Sequence, residues 1–320
     1  MVSESKLDQV TVIGAGVLGG QIAWQSAYKG KRVVLYDPFE ESLEKSRVAR
    51  QTYAHIYQNE LGASAPEIEK THARLEETTD FQAAIAEADL VIEAVPEVPE
   101  IKVELYQKLG ACLSAGCLIA TNSSTLLPSQ FAKDTGRPEK FCALHFANMI
   151  WSLNLAEIMA HESTAPETLR RVTAFAIEIG MVPIPVQKEQ SGYVCNSLLV
   201  PILVAAQSLV TNGVAVPEVV DRTYMIFNRG CSMGPCGIMD VIGFTTVVNV
   251  FRYWGEKSGD QQMLKNADYL QKHFIDQGKL GLLSGGGYYQ YPHPIYQSAD
   301  FLSVPDVAAA GEIAALIHRV

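Results

Sequence analysis

The sequence lacks several features that would assign it to whole classes of protein. No run of about 18 apolar residues occurs among its 320, so no membrane-spanning segment is predicted. The start of the chain has no basic segment leading into an apolar one, so we predict no signal peptide and a cytoplasmic protein. The six cysteines form no CxxC pair and the seven histidines no HxxxH pair, which predicts free thiols and no metal site.

Basic side chains are also scarce. The chain has 25 Lys and Arg against 35 Asp and Glu, a net charge of −10. Nucleic-acid binding through phosphates depends on clustered basic residues, so no nucleic-acid partner is expected. Most of the excess acid lies in residues 1–100, which carry nine basic and 17 acidic side chains. The 48% hydrophobic content predicts a folded chain, and its length predicts about two domains.

The distribution of strand and helix signals predicts two different domains. Residues 1–188 alternate β-branched runs with helical stretches, which is typical of an α/β, Rossmann-type doubly wound parallel sheet. Residues 189–320 carry helical spacing only, so we expect an all-helical C-terminal domain. Strands are predicted at 9–14, 32–37, 89–95, 117–122, 140–146, 153–159 and 181–186. Helices are predicted at 17–29, 38–61, 191–211, 217–227, 240–255, 261–277 and 306–320.

A glycine-rich motif follows the first strand and opens a helix. Its residues are Gly14, Ala15, Gly16, Val17, Leu18 and Gly19. Gly14 allows a tight turn, Gly16 lets the backbone approach a pyrophosphate, and Gly19 allows close helix packing. Asp37 ends the second strand, where a carboxylate accepts hydrogen bonds from ribose hydroxyls and repels a 2′-phosphate. The pattern predicts NAD; the alternative is a turn without ligand and an aspartate that caps the next helix.

Polar side chains in apolar surroundings suggest where the chemistry occurs. Asn122 and Ser124 follow a buried strand, at the edge where open α/β sheets bind ligands. His145 and Glu157 lie on two successive strand segments and would meet if these fold back on each other. A carboxylate on one imidazole nitrogen makes the other a better base, as alcohol oxidation requires. Alternatively, His145 is a core histidine and Glu157 pairs with a lysine. Asn196, which opens a helix, could be only a polar packing contact.

These motifs together resemble the L-3-hydroxyacyl-CoA dehydrogenase family over about residues 9–290. The matching segments, in order, are GAGVLGGQIA, Asp37, Glu93–Glu97 with Lys102, Asn122–Leu126, Phe141–Asn148, Glu157, Asn196–Pro201, Gly234-Pro235 with Asp240, and Gly285–Tyr289.

The resemblance implies a role for each matching position. His145 would be the general base, with Glu157 as its orienting partner. Ser124 and Asn196 would hydrogen-bond the substrate oxygens. Glu97, Lys102, Asn122 and Asn148 would line the cofactor and substrate cleft. The helical domain would form a homodimer, with Ser191–Phe227 as the candidate interface.

The resemblance also implies the activity, an NAD-dependent interconversion of 3-hydroxyacyl-CoA and 3-ketoacyl-CoA in fatty acid metabolism. The NSSTLLP and HFAN–W segments resemble the diketoreductase-like members, so reduction of small keto or diketo acids or esters is the alternative. A third possibility is a structural protein that keeps the fold without catalysis.

Three departures from the family pattern bear on the substrate. Met149 replaces a common proline, and Leu283 replaces a common lysine. Members that act on CoA esters carry lysines on the long helix after the ribose-binding acid. Here no Lys or Arg occurs between Arg50 and Lys70, and that interval holds three glutamates. A multiply phosphorylated substrate would therefore meet an acidic surface.

Overall fold

The chain, described here from a computed structural model, alternates strands and helices through its first 186 residues. The structure describes residues 6–215, 219, 223–224, 226–228, 231, 233 and 235–317. The strands are β1 (Gln9–Ile13), β2 (Arg32–Tyr36), β3 (Leu75–Thr78), β4 (Leu90–Glu93), β5 (Leu118–Thr121), β6 (Phe141–Phe146), β7 (Leu155–Met159) and β8 (Val182–Val186). The helices are α1 (Val17–Tyr28), α2 (Glu40–Glu60), α3 (Ala65–Ala73), α4 (Phe81–Ile85), α5 (Pro99–Cys112), α6 (Pro166–Glu178), α7 (Cys195–Thr211), α8 (Pro235–Ile242), α9 (Phe244–Ser258), α10 (Gln261–His273) and α11 (Ala310–Ile317).

The eight strands form one sheet in the order β3-β2-β1-β4-β5-β6-β7-β8. Every neighbouring pair is parallel except β6 and β7, which are antiparallel. The expectation of a wholly parallel sheet is therefore wrong at this pair. Residues 147–154 connect the two strands, and a segment this short cannot hold the crossover helix that a parallel pair needs. The Rossmann-type fold class itself is confirmed.

Apolar clusters cover both faces of the sheet. On one face, strand residues such as Val12, Leu35 and Ile92 pack with α1, α6 and α11. On the other, Val91 and Ile119 pack with α4 and α5. Each fully buried aliphatic side chain contributes about 1.5–3 kcal/mol to the free energy of unfolding. The near-continuous apolar strands are thus explained by burial on both faces.

The chain forms two compact units, Met1–Val204 with Val304–Val320, and Ala205–Ser303. The C-terminal helix α11 thus belongs with the sheet, where Ala314 and Ile317 join the core. The division predicted at residues 188 and 189 stays a prediction. Within the described residues, no helix has the length and hydropathy needed to cross a membrane. All six cysteines are free thiols.

The second unit contains the helices α8, α9 and α10 and a glycine-rich segment of turns and β-bridges. The buried Asp240 organises this glycine-rich segment. Its carboxylate accepts hydrogen bonds from the backbone N–H groups of Tyr288 and Tyr289, each at 2.9 Å, and from the Tyr291 hydroxyl at 3.0 Å. A Cβ on Gly287 would lie 2.1 Å from Asp240 Oδ1, so only glycine fits there. This packing explains the matched Asp240 and Gly285–Tyr289 motifs as structural elements.

Several predicted boundaries differ from the observed ones. The helix predicted over 240–255 is two helices, α8 and α9, because Gly243 has φ of +87° between them. The helix predicted from residue 191 begins at Cys195, after a turn in which Gly192 and Tyr193 both have positive φ. Strand β3 was missed because its sequence, LEET, carries no apolar alternation. Parts of the helix predicted over 217–227, Gly234 and residues 318–320 lie outside the described residues.

Candidate active site

The glycine-rich motif forms a tight loop between β1 and α1. Gly14 has φ of +108°, and a Cβ there would lie 2.4 Å from the Ala94 carbonyl oxygen. A Cβ on Gly19 would lie 1.9 Å from the Gly14 carbonyl oxygen, so α1 can pack this closely only with glycine. Gly16 caps α1, and nothing lies within 4 Å of its missing Cβ. The loop therefore leaves open backbone at the helix N-terminus, where an anionic group is stabilised.

Asp37 holds this loop against the end of β2. Its Oδ2 accepts a hydrogen bond from the Ala15 N–H at 2.9 Å, and its Oδ1 accepts one from the Phe39 N–H at 3.0 Å. The second bond lies at the start of α2, so Asp37 does support the next helix, as its alternative interpretation expected. The carboxylate is nevertheless fixed at the edge of the sheet beside the glycine loop, which is the position that ribose recognition requires.

A cleft of about 320 Å³ opens where the strand order reverses between β1 and β4. Its lining residues are Gly16, Val17, Leu18, Gly19, Ala94, Val95, Glu97, Asn122, Ser124 and Thr125. Open α/β sheets bind ligands at such a switch point. The bare Gly16 backbone, the helix N-terminus and the fixed Asp37 carboxylate suit the pyrophosphate and ribose of a dinucleotide. The residues present therefore fit NAD.

His145 and Glu157 contact each other across the antiparallel pair. They are directly opposite in the β6–β7 register, and His145 Nδ1 lies 2.9 Å from Glu157 Oε2. Both side chains are almost completely buried, Glu157 being 1% exposed. Because a carboxylate accepts hydrogen bonds, Nδ1 carries the ring proton and donates a hydrogen bond to Glu157. The other ring nitrogen, Nε2, is then left with a lone pair.

The lone pair of His145 faces the cleft, where Ser124 Oγ lies 3.2 Å from Nε2. The second oxygen of Glu157 accepts the backbone N–H groups of Val194 at 2.9 Å and Cys195 at 2.8 Å. These donors lie at the N-terminus of α7, where a negative charge is stabilised. The result is a chain from Ser124 through His145 to a carboxylate held at both oxygens.

Beneath the cleft lies a second buried carboxylate, Glu93, to which the sequence assigned no role of its own. It accepts hydrogen bonds from Lys102 Nζ at 2.7 Å, the Tyr106 hydroxyl at 2.5 Å and Thr121 Oγ1 at 2.7 Å. Lys102 is 1% exposed, so it reaches the cleft only through Glu97, whose Oε2 lies 3.3 Å away. Glu93, like Glu157, is a charged residue in an otherwise apolar strand. This pattern in the sequence could have identified Glu93 as a buried carboxylate that needs partners.

Glu97 lies at the rim of the cleft. Burial alone would raise the pKa of its carboxyl, but hydrogen bonds from the Ser123 hydroxyl and the Thr125 and Leu126 N–H groups, with the Lys102 charge, lower that pKa to about 2. Glu97 is therefore ionised at any pH near neutrality. It fixes the loop that carries Ser124 and supplies a negative charge to the cleft wall.

The three predicted asparagines have different surroundings. Asn122 Oδ1 accepts the Phe146 N–H at 2.9 Å and so joins the ends of β5 and β6. Asn148 is exposed on the loop after β6. Asn196 is half-buried in the first turn of α7, next to the Cys195 N–H that binds Glu157.

The loop between β6 and β7 has a backbone that proline could not adopt. Met149 has φ of +61°, whereas proline is fixed near −65°. The Gln21 side chain, which the sequence analysis missed, accepts the Met149 and Ile150 N–H groups at 2.8 and 3.3 Å. The absence of proline at position 149 is thus consistent with the backbone of this loop. Leu283, the other substituted position, is 97% exposed in the second unit.

Comparison with known proteins agrees with this geometry. Residues 9–190 match the model of the 3-hydroxyacyl-CoA dehydrogenase NAD binding domain, and residues 192–291 match that of the C-terminal domain. The chain belongs to the 3-hydroxyacyl-CoA dehydrogenase family. Members of this family are NAD-dependent oxidoreductases that act on CH–OH groups, and NAD is accordingly the cofactor.

Individual relatives of the family cover nearly the whole chain. A probable 3-hydroxybutyryl-CoA dehydrogenase of Deinococcus radiodurans is 33% identical over 88% of this chain and 99% of its own length. The mitochondrial hydroxyacyl-coenzyme A dehydrogenase of Sus scrofa is 31% identical over 88% of this chain and 90% of its own. A solved diketoreductase, described as acting on dicarbonyl compounds, is 43% identical with a TM-score of 0.66, over 90% of this chain and 100% of its own.

Proposed function

We propose that this chain interconverts a 3-hydroxyacyl-CoA and the corresponding 3-ketoacyl-CoA, with His145 as the group that accepts and returns the proton. The observation that carries the proposal is the hydrogen-bonded series Ser124 Oγ, His145 Nε2, His145 Nδ1 and Glu157 at the dinucleotide cleft. When bound, NAD supplies the hydride acceptor. The residues of the chain then have to orient the hydroxyl and remove its proton.

In oxidation, the substrate hydroxyl donates to His145 Nε2 from near the Ser124 hydroxyl. The proton moves to Nε2, and the ring becomes an imidazolium. Glu157 stabilises that charge through the 2.9 Å hydrogen bond at Nδ1, while the Val194 and Cys195 N–H groups keep the carboxylate in place. In reduction, the imidazolium returns the proton to the developing alkoxide. We assign Ser124 and Asn196 to hydrogen-bonding the reacting oxygen.

We assign the cofactor to the loop Gly14–Gly19, with Asp37 at the adenosine ribose. Glu97, Asn122 and Asn148 complete the cleft on the nicotinamide side. Because Lys102 is enclosed between Glu93 and Glu97, we assign it to holding Glu97 rather than to contacting the cofactor. These assignments rest on the fit of the loop and the cleft to a dinucleotide.

His145→Ala tests the proposal. We expect kcat to fall by at least the ~10²-fold typical of general acid–base catalysis, with the NADH dissociation constant within twofold of wild type. His55→Ala, on the exposed side of α2, is the matched control and should keep full activity. An unchanged kcat in His145→Ala would show that another group moves the proton.

A second substrate class, small keto or diketo acids and esters without CoA, is favoured by the charges on α2. Arg47 pairs with Glu40, Glu44 and Glu77 at 2.5–2.6 Å, and Arg50 also pairs with Glu77. Lys45 pairs with Glu41 at 2.7 Å, so each cation on this helix already has a carboxylate partner. CoA-binding members of the family are expected to use basic residues here. The 43% identity to a diketoreductase agrees with this candidate.

Kinetics with NADH separate the two substrate classes. The substrates are acetoacetyl-CoA, acetoacetate and a 3,5-diketo ester, each measured for kcat/KM. If the thioester is the substrate, acetoacetyl-CoA should exceed acetoacetate by several orders of magnitude. If it does no better than acetoacetate while the diketo ester turns over rapidly, the thioester assignment is abandoned and the second candidate stands.

We also propose that the chain is a homodimer assembled through α7. This 17-residue helix contains no charged residue, and Leu198, Leu199, Val200 and Ile202 are all exposed on it. An apolar helix exposed on several sides needs a covering surface, and a second copy offers the same helix. Light scattering on Leu198→Asp should report a monomer, whereas Leu302→Asp, at another exposed leucine, should leave the dimer intact. A monomeric wild type would refute the proposal.

The role in fatty acid metabolism and the cytoplasmic location stay predictions.

A further inference from the structure

Tyr193 contacts the imidazole of His145 but plays no part in the mechanism described above. The two rings are stacked, with centroids 4.7 Å apart and planes 19° from parallel. The tyrosine is 1% exposed and immediately precedes α7, within the turn that supplies the two donors to Glu157. One short segment, residues 193–195, thus touches both members of the His145–Glu157 pair.

The stack supplies a restraint that the hydrogen bond alone does not. The bond from Nδ1 to Glu157 fixes one point of the imidazole, but the ring can still tilt about that point. A parallel aromatic ring on its face fixes the plane as well. With the plane and one nitrogen both held, the direction of the Nε2 lone pair towards the cleft is determined. Proton transfer depends on this direction, because a small misplacement of a reacting group lowers the rate steeply.

The backbone of Tyr193 indicates that its position is imposed by its surroundings. Its φ is +51°, in the left-handed region that bulky residues rarely adopt. Its N–H donates to the Gln190 carbonyl at 3.0 Å, and its carbonyl accepts the Ser197 hydroxyl. These bonds, with those from Val194 and Cys195 to Glu157, hold the turn in this conformation. Such unfavourable backbone conformations concentrate at functional sites.

The ring of Tyr193, rather than its hydroxyl, accounts for these contacts. The phenol oxygen is buried and has no hydrogen-bond partner among the described residues. Burial, together with the Glu157 and Glu97 carboxylates, raises the pKa of this phenol far above its ordinary value. The ring therefore stays neutral throughout any assay range. It also packs against Ala143 and Met159, so a purely structural role is the alternative that a test must exclude.

We propose that Tyr193 is a positioning residue that holds the His145 imidazole in the plane required for proton transfer. The proposal rests on the proposed function of His145. It extends that function by naming the group that, together with Glu157, sets the orientation of the base.

The test uses two substitutions that differ in what they keep. Tyr193→Phe retains the ring and removes only the hydroxyl, so kcat should stay within about twofold of wild type. Tyr193→Met fills much of the same apolar volume without an aromatic face. We expect its kcat, counted per NADH-binding site, to fall ~10–100-fold, while KM and the NADH dissociation constant stay within about twofold. The deuterium isotope effect on kcat, measured with deuterated NADH, should rise because the chemical step becomes rate-limiting. If Tyr193→Met does not fold, Tyr193→Leu takes its place in the same measurements.

Each result decides the proposal. A purely structural role predicts a lower melting temperature and fewer binding sites for Tyr193→Met, but an unchanged kcat per site and an unchanged isotope effect; this result would overturn the proposal. A loss of kcat in Tyr193→Phe as large as in Tyr193→Met would also overturn it, since the hydroxyl would then be the active part. The His145→Ala variant, measured in parallel, separates the role of His145 from the role of Tyr193. If His145→Ala stays active, the proposed function itself fails. If His145→Ala is inactive and Tyr193→Met is fully active, only the role of Tyr193 is refuted.

Discussion

Glu157→Gln should invert the tautomer of His145, and the surrounding donors determine how large the effect is. One oxygen of Glu157 accepts the Val194 and Cys195 N–H groups, and the other faces His145 Nδ1 at 2.9 Å. In the amide, only the oxygen can accept the two backbone donors, so the NH₂ group must face Nδ1. That nitrogen then has to be the acceptor, and the ring proton moves to Nε2. The lone pair directed at the cleft is lost, and His145 can no longer accept the substrate proton.

The size of the expected loss in kcat follows from the free energy needed to flip the side-chain amide of the Glu157→Gln variant. Flipping the amide would restore the correct tautomer but leave the partly buried N–H groups of Val194 and Cys195 facing another donor. Each unsatisfied donor costs about 1–3 kcal/mol, so the flip costs about 2–6 kcal/mol. At about 1.4 kcal/mol per factor of ten, kcat should fall ~30-fold to ~2 × 10⁴-fold. The corresponding Asp-to-Asn change in a Ser-His-Asp triad, also a tautomer inversion, lowers kcat by about 10⁴.

The assay is the steady-state rate in both directions at saturating cofactor, with NADH binding followed by fluorescence. Glu178→Gln is the matched control, since it makes the same chemical change at a carboxylate that pairs with Lys31. The control should keep its kcat, and Glu157→Gln should bind NADH normally. A Glu157→Gln enzyme within tenfold of wild type would refute the argument, because the tautomer of His145 would then not depend on Glu157.

Three further predictions concern the glycine loop and the carboxylates beside it. Gly19→Ala should lower both the melting temperature and the NADH affinity, because its Cβ would lie 1.9 Å from the Gly14 carbonyl oxygen. Gly16→Ala has open space at its Cβ, so it should lose NADH affinity in a titration but keep the wild-type melting temperature. Asp37→Ala should raise the affinity for NADPH relative to NADH at least ~10-fold in paired titrations, since the charge that repels a 2′-phosphate is gone; an unchanged ratio would show that Asp37 does not select the cofactor. Glu97 has a pKa lowered to about 2 from an ordinary value of about 4.3, so its stabilising contribution is complete above pH 4.3 and is lost as the pH falls towards 2. The difference in unfolding free energy between wild type and Glu97→Gln, from urea titrations, should therefore shrink between pH 4.3 and 2, and a constant difference would count against this assignment.

The sequence was most informative where several residues of one local pattern favoured the same interpretation. The glycine motif joined a strand to a helix, and the structure has that loop with no room for side chains at Gly14 and Gly19. His145 and Glu157 were charged or titratable residues in apolar strands, and burial made a partner necessary for each. The structure brings them into contact. The sequence left open that Glu157 pairs with a lysine, but in the structure Glu157 pairs with His145. The buried Lys102 pairs with Glu93 instead.

Other features depended on contacts that no local pattern encodes. The antiparallel direction of β7 follows from the short connection after β6, a length constraint that strand periodicity does not reveal. Strand β3 is LEET, in which pairing with β2 rather than apolar alternation decides the conformation. Tyr193 reads in the sequence as an ordinary residue between Gly192 and Val194. Its positive φ and its stacking on His145 arise only when the turn before α7 meets the sheet.

The central claim is that His145 moves the proton while NAD takes part in oxidising a 3-hydroxyl group. The most direct measurement is the initial rate of NADH formation at saturating NAD, with 3-hydroxybutyryl-CoA and with free 3-hydroxybutyrate, for wild type and for His145→Ala. The account predicts NADH formation in wild type, matched one for one by keto product, and a rate at least ~10²-fold lower in the variant at unchanged NAD affinity. Equal rates in the two proteins, or no NADH from either 3-hydroxy substrate, would contradict it.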